Sequence, residues 1–255
     1  MNQKGGSAKT TTAVNLAAAL AALGKKVLVV DLDPQANATG WLGVTNGKGV
    51  FDVFTGEKKL LELVQASTAS GVDAVPGSAW LAGADRTLAG EVGAELVFRK
   101  ALERLPEKWD AVLVDCPPAI GLLSISALAG CGEVLIPCEA HTMALSGLAG
   151  LVQTLERVRD RLNPGLALSG IVACRVDGRT KLSEEVVATL RERFGKDVFK
   201  AVVRENVRLA EAPSFAQSIF DYDPKSTGAE DYSAVARELL ARVRGKRTQR
   251  AKRSR

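Results

Sequence analysis

Two short runs, Val27-Leu28-Val29-Val30-Asp31 and Ala111-Val112-Leu113-Val114-Asp115, are unbroken in apolar residues, and each closes on an aspartate. A strand with one wet face alternates apolar and polar residues. An uninterrupted run marks a strand covered on both faces, the situation of a parallel sheet sandwiched between helices. Further stretches of strand length, less purely apolar, lie at Val72–Pro76, Val134–Cys138, Leu168–Cys174 and Val198–Val203. Helical patterns separate them, at about 81–88, 92–105, 121–128, 145–162 and 231–243. The expected fold is therefore α/β, a doubly wound, mostly parallel sheet flanked by helices. At 255 residues with no internal change of composition, residues 1–243 read as a single domain with one core. The acids at the strand ends matter because ligands of such sheets bind beyond the carboxyl ends of the strands.

The second informative stretch is Lys4-Gly5-Gly6-Ser7-Ala8-Lys9-Thr10-Thr11. Small residues let a backbone wrap closely around an anion, with successive N–H groups aimed inward at phosphate oxygens. Lys9 follows as a point charge for the outer phosphates, and the Thr10 hydroxyl is placed to ligate Mg²⁺. A helix begins there, with Ala17, Ala18, Ala19, Leu20 and Leu23, and offers its positive end to the same phosphates. It should stop at Gly24, where Lys25 and Lys26 suit its negative end. The common spacing Gly-x-x-x-x-Gly-Lys-Ser/Thr is not met: Gln3 stands at the first glycine and Ala8 at the second. What is met is Lys-Gly-Gly-x-x-Lys-Thr, with an additional lysine, Lys4, in front. In a doubly wound P-loop NTPase this loop follows the first central strand, yet only Met1, Asn2 and Gln3 precede Lys4. That strand is expected to be missing from the chain, leaving either a gap in the sheet or a start that lies upstream.

The loop with the extra lysine resembles the deviant Walker A motif of the ParA/MinD family of ATPases. So do Asp31-Leu32-Asp33-Pro34-Gln35, Val114-Asp115-Cys116-Pro117-Pro118, Asp177-Gly178-Arg179-Thr180-Lys181 and Asn206-Val207-Arg208-Leu209-Ala210-Glu211-Ala212-Pro213-Ser214, all in the family's order. Within that family the chain looks like a ParA/Soj-type chromosome or plasmid partitioning ATPase. The resemblance implies an ATP site contacted by Gln3, Lys4, Gly5, Gly6, Ser7, Ala8, Lys9, Thr10 and Thr11, with Asn206 on the adenine edge. It implies Mg²⁺ held by Thr10, Asp33 and Asp115, with Asp31 supporting the metal region. The catalytic set becomes Lys9, Asp33 orienting the attacking water, and Lys4 reaching across a dimer to the partner's nucleotide. Arg179, Lys181 and Arg208 become contacts to DNA bound without regard to sequence. The implied cycle is an ATP-bound homodimer on DNA, slow hydrolysis stimulated by a ParB-type partner, and release, in the cytoplasm and on the nucleoid. Two departures stand out: His141, Thr142, Met143 and Ser146 where the pattern has aromatics and a glutamate, and Arg204-Glu205 before Asn206 where it has Pro-Arg.

Charge adds a further element. Eight Lys/Arg and no acid lie between Arg242 and Arg255, so the overall +5 less those eight leaves the body near −3. Residues 244–255 read as a disordered basic tail, with Lys246 and Arg247 as polyanion contacts whose binding depends on salt. The tail has no apolar residue larger than Ala251, so it cannot bury a membrane-facing stripe, and no run reaches the roughly 18 apolar residues of a span. Cys116, Cys131, Cys138 and Cys174 show no C-x-x-C spacing and read as reduced, buried thiols; His141 is the single histidine. Two other functions stay open from the residues alone. One is a degenerate ATPase, disabled at Ala8, that holds DNA by its tail without nucleotide. The other is a metabolic P-loop ligase of related fold.

Overall fold

The computed structural model describes the backbone of residues 8–253 and the side chains of residues 8–141 and 147–244. The elements run α1 (Lys9–Ala22), β1 (Val27–Asp31), α2 (Asn37–Trp41), α3 (Phe51–Phe54), β2 (Gln65–Ala66), β3 (Val72–Val75), α4 (Ala84–Thr87) and α5 (Val97–Glu103). They continue with β4 (Ala111–Asp115), α6 (Leu122–Gly130), β5 (Glu133–Glu139), α7 (Thr142–Arg161), β6 (Ala167–Cys174) and α8 (Lys181–Phe194). Two short helices, α9 (Val207–Glu211) and α10 (Ile219–Tyr222), precede the long α11 (Thr227–Arg253).

β1 is the covered strand its composition demands. Val27 and Val29 pack toward α1 and α11, while Leu28 and Val30 pack toward α3, α5 and α6 on the other face. It pairs in parallel with β3 on one side and β4 on the other, in the order β2-β3-β1-β4, with β2 antiparallel at the edge. The register sets Asp31 directly against Asp115, so both carboxylates stand at one end of the sheet.

β5 and β6 form a second, two-stranded parallel sheet. Among the described residues no strand pairs with the second edge of β4 or of β5. The open edge of β4 shows in its burial. Instead of being covered throughout, its middle residues are half-buried and Val112 is 37% exposed. α1 nevertheless bridges the two sheets, packing on β1 and β4 while its Thr12 reaches Cys174 of β6 and Tyr232 of α11.

Several sequence expectations change length. The run Val198–Val203 is not a strand but an extended segment touching β6 and the turn after it through two isolated bridges, Ile171 to Val198 and Val176 to Arg204. The Glu238 carboxylate takes the N–H groups of Lys200 and Ala201, which a ladder would otherwise have used. The pattern at 81–88 breaks into a 3₁₀ turn and α4, and that at 92–105 contracts to α5 after another 3₁₀ turn. The backbone stays helical through the basic segment to Arg253, where composition alone predicts a disordered tail. Lys, Arg, Gln and Ala are good helix formers, so α11 can propagate into it.

Candidate nucleotide site and its surroundings

Ala8 opens α1 in the left-handed region, at φ 57° and ψ 17°, and its carbonyl accepts the Thr12 N–H at 2.8 Å. The conformation that glycine adopts freely is thus imposed on an alanine. At the other end the helix stops as expected: Gly24 is left-handed at φ 77°, and the Lys25 N–H returns to the Leu20 carbonyl at 3.1 Å. Asn15, fully buried, anchors the helix sideways by accepting the Ile219 N–H at 2.8 Å.

Lys9 and Thr10 therefore lie in the first turn of a firmly seated helix, beside the two strand-end acids. Burial lowers the Lys9 pKa, against the opposing pull of Asp115, Asp33, Cys116 and Glu139. Asp115 is almost completely buried, and its pKa is pushed up to about 7. Burial is the main cause and the Asp31 charge adds to it, while a hydrogen bond from Thr10 and the charge of Lys9 work the other way. One of its oxygens, Oδ2, is buried with no hydrogen-bond partner. An orphaned buried carboxylate oxygen next to a threonine hydroxyl and a lysine fits a hard divalent cation that completes its shell with water and phosphate oxygens.

Asp31, expected to support the metal region, and Asp33, expected to hold Mg²⁺ and orient water, have different surroundings. The Asp31 carboxylate accepts the Asp33 N–H at 3.0 Å, the Thr39 N–H at 2.9 Å and the Thr39 hydroxyl at 2.7 Å. Burial raises its pKa, and these bonds hold it back. Thr39 also accepts the Gly77 N–H at 2.8 Å, which ties the loop after β3 to the loop after β1. Gly77 is needed there because a Cβ would sit 2.7 Å from the Asp31 carbonyl oxygen. Asp31 is thus the internal brace of the loop, and Asp33, buried and accepting the Gln35 N–H at 2.9 Å, is the acid the brace positions. Sequence reasoning did not single out Thr39; a threonine eight residues after a strand-end aspartate is the available signal.

The remaining candidates lie apart. Arg179 is 86% exposed at the side chain and grips Asp177 through Nε and Nη2, at 2.9 and 3.0 Å. Those bonds pull the Asp177 carboxyl down to about 2. Lys181 is exposed at the start of α8. Arg208 pairs with Glu211 at 2.8 Å and approaches Asp223 at 3.6 Å. The turn holding Arg179 and the segment leading to Arg208 run side by side, since Val176 bridges Arg204 and the Glu205 N–H bonds the Val176 carbonyl at 3.1 Å. Asn206, expected on an adenine edge, caps α9: its Oδ1 accepts from the N–H groups of Arg208 and Leu209, and its Nδ2 donates to Thr227 at 2.6 Å. Arg204, where the family has proline, is held by Asp231 and Glu230. Gln3, Lys4, Gly5, Gly6 and Ser7, and the side chains of Thr142, Met143, Ser146, Lys246 and Arg247, lie outside the described residues.

A family model described as an AAA domain matches residues 1–168. The chromosome-partitioning ATPase Soj of Thermus thermophilus is 49% identical over 242 residues, covering 95% of this chain and 94% of that protein. The chain belongs to the ParA/Soj family of partitioning ATPases. The sporulation initiation inhibitor protein Soj of Bacillus subtilis is 40% identical over 94% of this chain and 96% of its own length. Among solved structures, cobyrinic acid a,c-diamide synthase from Mycobacterium smegmatis with bound ADP and magnesium superposes at a TM-score of 0.82. It is 32% identical, with 94% of this chain and 91% of that chain covered. The doubly wound P-loop fold is therefore shared well beyond the partitioning proteins. No described helix is long and apolar enough to cross a membrane.

Proposed function

We propose that this chain is an ATP- and Mg²⁺-dependent switch that partitions DNA. The observation carrying this reading is the convergence of Lys9, Thr10, Asp33 and the orphaned oxygen of Asp115 at one end of the sheet. Lys9 and the N-terminus of α1 would neutralise the outer phosphates of ATP, while Thr10 and Asp115 would hold Mg²⁺. The ion stabilises charge on the transferred phosphoryl group. Asp33, fixed by the Asp31 brace, would orient the attacking water. Ala8 takes a left-handed backbone without being glycine, which supports a working loop over a disabled one.

In this reading two subunits close face to face, each Lys4 reaching the other's phosphates, and the closed dimer aligns Arg179, Lys181, Arg208, Lys246 and Arg247 on DNA. Contacts to phosphate position the protein without reading sequence. A ParB-type partner stimulates slow hydrolysis and release, so the protein works in the cytoplasm and on the nucleoid. Retention of duplex DNA is measured with MgATP, with MgADP and without nucleotide, over a salt series. Retention confined to MgATP, and abolished by Lys9→Ala, is the expected result. Equal retention in all three, lost when residues 244–255 are removed, would establish a nucleotide-independent DNA-binding protein instead.

A further inference from the structure

Arg175 follows the last residue of β6 and holds a left-handed backbone at φ 52°, a conformation that strains any residue with a branched or long side chain. Glycine or asparagine would relieve the strain. What the arginine does there is bind acids: Nη1 donates to Glu139 at 3.2 Å and Nη2 lies 3.8 Å from Glu205. Its side chain is 60% exposed, and an exposed pair of this kind contributes less to stability than the backbone strain costs. Stability does not explain the arginine, so its value lies in what Glu139 is near.

Glu139 is the last residue of β5 and pairs in register with Cys174, whose sulfur meets the Thr12 hydroxyl at 4.0 Å. Thr12 is one turn along α1 from Lys9 and on the same face of the helix. Glu139 therefore lies at the end of a strand that α1 packs against, and its charge reaches Lys9, though less than those of Asp115 and Asp33. Left uncompensated, a carboxylate in that position repels an incoming triphosphate.

We propose that Arg175 is a positioning residue for nucleotide binding: its guanidinium holds and neutralises Glu139, keeping the potential around Lys9 favourable to phosphate. The inference rests on the nucleotide reading of the Lys9 site. Its test is a set of MgATP titrations by calorimetry on the full chain, comparing the parent with Arg175→Asn, Arg175→Lys, Glu139→Gln and Glu205→Gln, and with Arg175→Asn combined with each glutamine variant. Asparagine accepts the left-handed backbone, so Arg175→Asn should melt no lower than the parent. It should nevertheless weaken MgATP binding about three- to tenfold, and by less as salt screens the repulsion. Arg175→Lys should restore most of the loss. Adding Glu139→Gln to Arg175→Asn should bring the affinity within about twofold of Glu139→Gln alone, whereas adding Glu205→Gln should not. The same loss with and without the Glu139 carboxylate would overturn the proposal while leaving the nucleotide reading in place. A parent chain that binds no MgATP would remove both.

Discussion

Arg242 shows how a residue counted among tail charges can instead be part of the fold. Its guanidinium meets Glu238 through Nε and Nη2 at 3.0 and 2.8 Å, one turn back on α11. It also donates to the carbonyls of Val198 at 2.8 Å, Lys196 at 3.0 Å and Ser169 at 3.3 Å, and stacks 4.2 Å from the Phe199 ring centroid. The same Glu238 carboxylate accepts the N–H groups of Lys200 and Ala201. Arg242 thus clamps α11 to the extended segment that lies along β6 in place of a regular strand. Both side chains of the pair are only 19% exposed, so solvent does not screen the interaction away. A hydrogen bond to a charged group contributes about 1.5–3 kcal/mol. A cation–π contact adds roughly 0.5–1 kcal/mol. Truncating the arginine leaves three carbonyls short of a donor and Glu238 without its counter-charge. Because these losses overlap, the expected cost of Arg242→Ala is about 2–4 kcal/mol. For a chain of this size that lowers Tm by about 5–12 °C. Urea unfolding should show a reduced midpoint at unchanged slope. DNA retention per folded molecule and its salt dependence should stay as in the parent. A stability change under about 0.5 kcal/mol, combined with a shallower salt dependence of DNA binding, would refute the clamp and make Arg242 a phosphate contact instead.

Three further outcomes are expected. Ala8→Gly should stabilise the chain by about 0.5–1 kcal/mol in urea unfolding, because relief of left-handed strain exceeds the added freedom of the unfolded glycine; a loss of stability would show that Ala8 is not strained. Arg179→Ala should weaken MgATP-dependent DNA retention at every sequence tested, and in an NMR titration the Asp177 carboxyl should move up from about 2 toward an ordinary aspartate; the depressed value in the parent means this pair supports the fold above the ordinary aspartate range and is lost as pH falls through about 2. Cys138 and Cys174 are fully buried and burial holds both thiols up at about 12, so the unfolded chain ionises first in alkali. Stability should be intact below about pH 8.5 and then fall by about 1.4 kcal/mol per thiol per pH unit; an equal fall in the Cys138→Ala/Cys174→Ala variant would assign the loss elsewhere.

What the sequence disclosed, and what it withheld, follows the range of the forces involved. The buried strand β1 and its aspartates and the stop of α1 at Gly24 rest on local pattern, an apolar run and a left-handed glycine, and the candidacy of Lys9 and Thr10 rests on a loop opening a helix. The partners that give residues their roles are not announced by such patterns. Asp31 is a brace because Thr39 closes on it and Gly77 closes on Thr39, and Asn206 is a helix cap because the α9 amides and the more distant Thr227 take its side chain. Val198–Val203 has the composition of a strand but spends its N–H groups on Glu238 and on β6 at separate points.

Arg179 and Arg208 of the expected DNA surface, and Arg204 near them in the chain, follow the same rule, with a functional consequence. Arg179, Arg204 and Arg208 each have a carboxylate within hydrogen-bond reach in this single subunit: Asp177, Asp231 and Glu211. Arg204 is tied most firmly, since Asp231 is 10% exposed at the side chain and also takes the Arg204 N–H at 2.8 Å. A guanidinium held on a buried acid is a poor phosphate contact, because transferring it would strand that acid without a partner. Arg179 and Arg208 face acids more open to solvent, 21% exposed at the Asp177 side chain and 38% at Glu211, and exchanging such a partner for a phosphate costs less. The charge map therefore separates two arginines free to change partners from one that is part of the fold, and it separates them by the burial of the acid rather than by the exposure of the base.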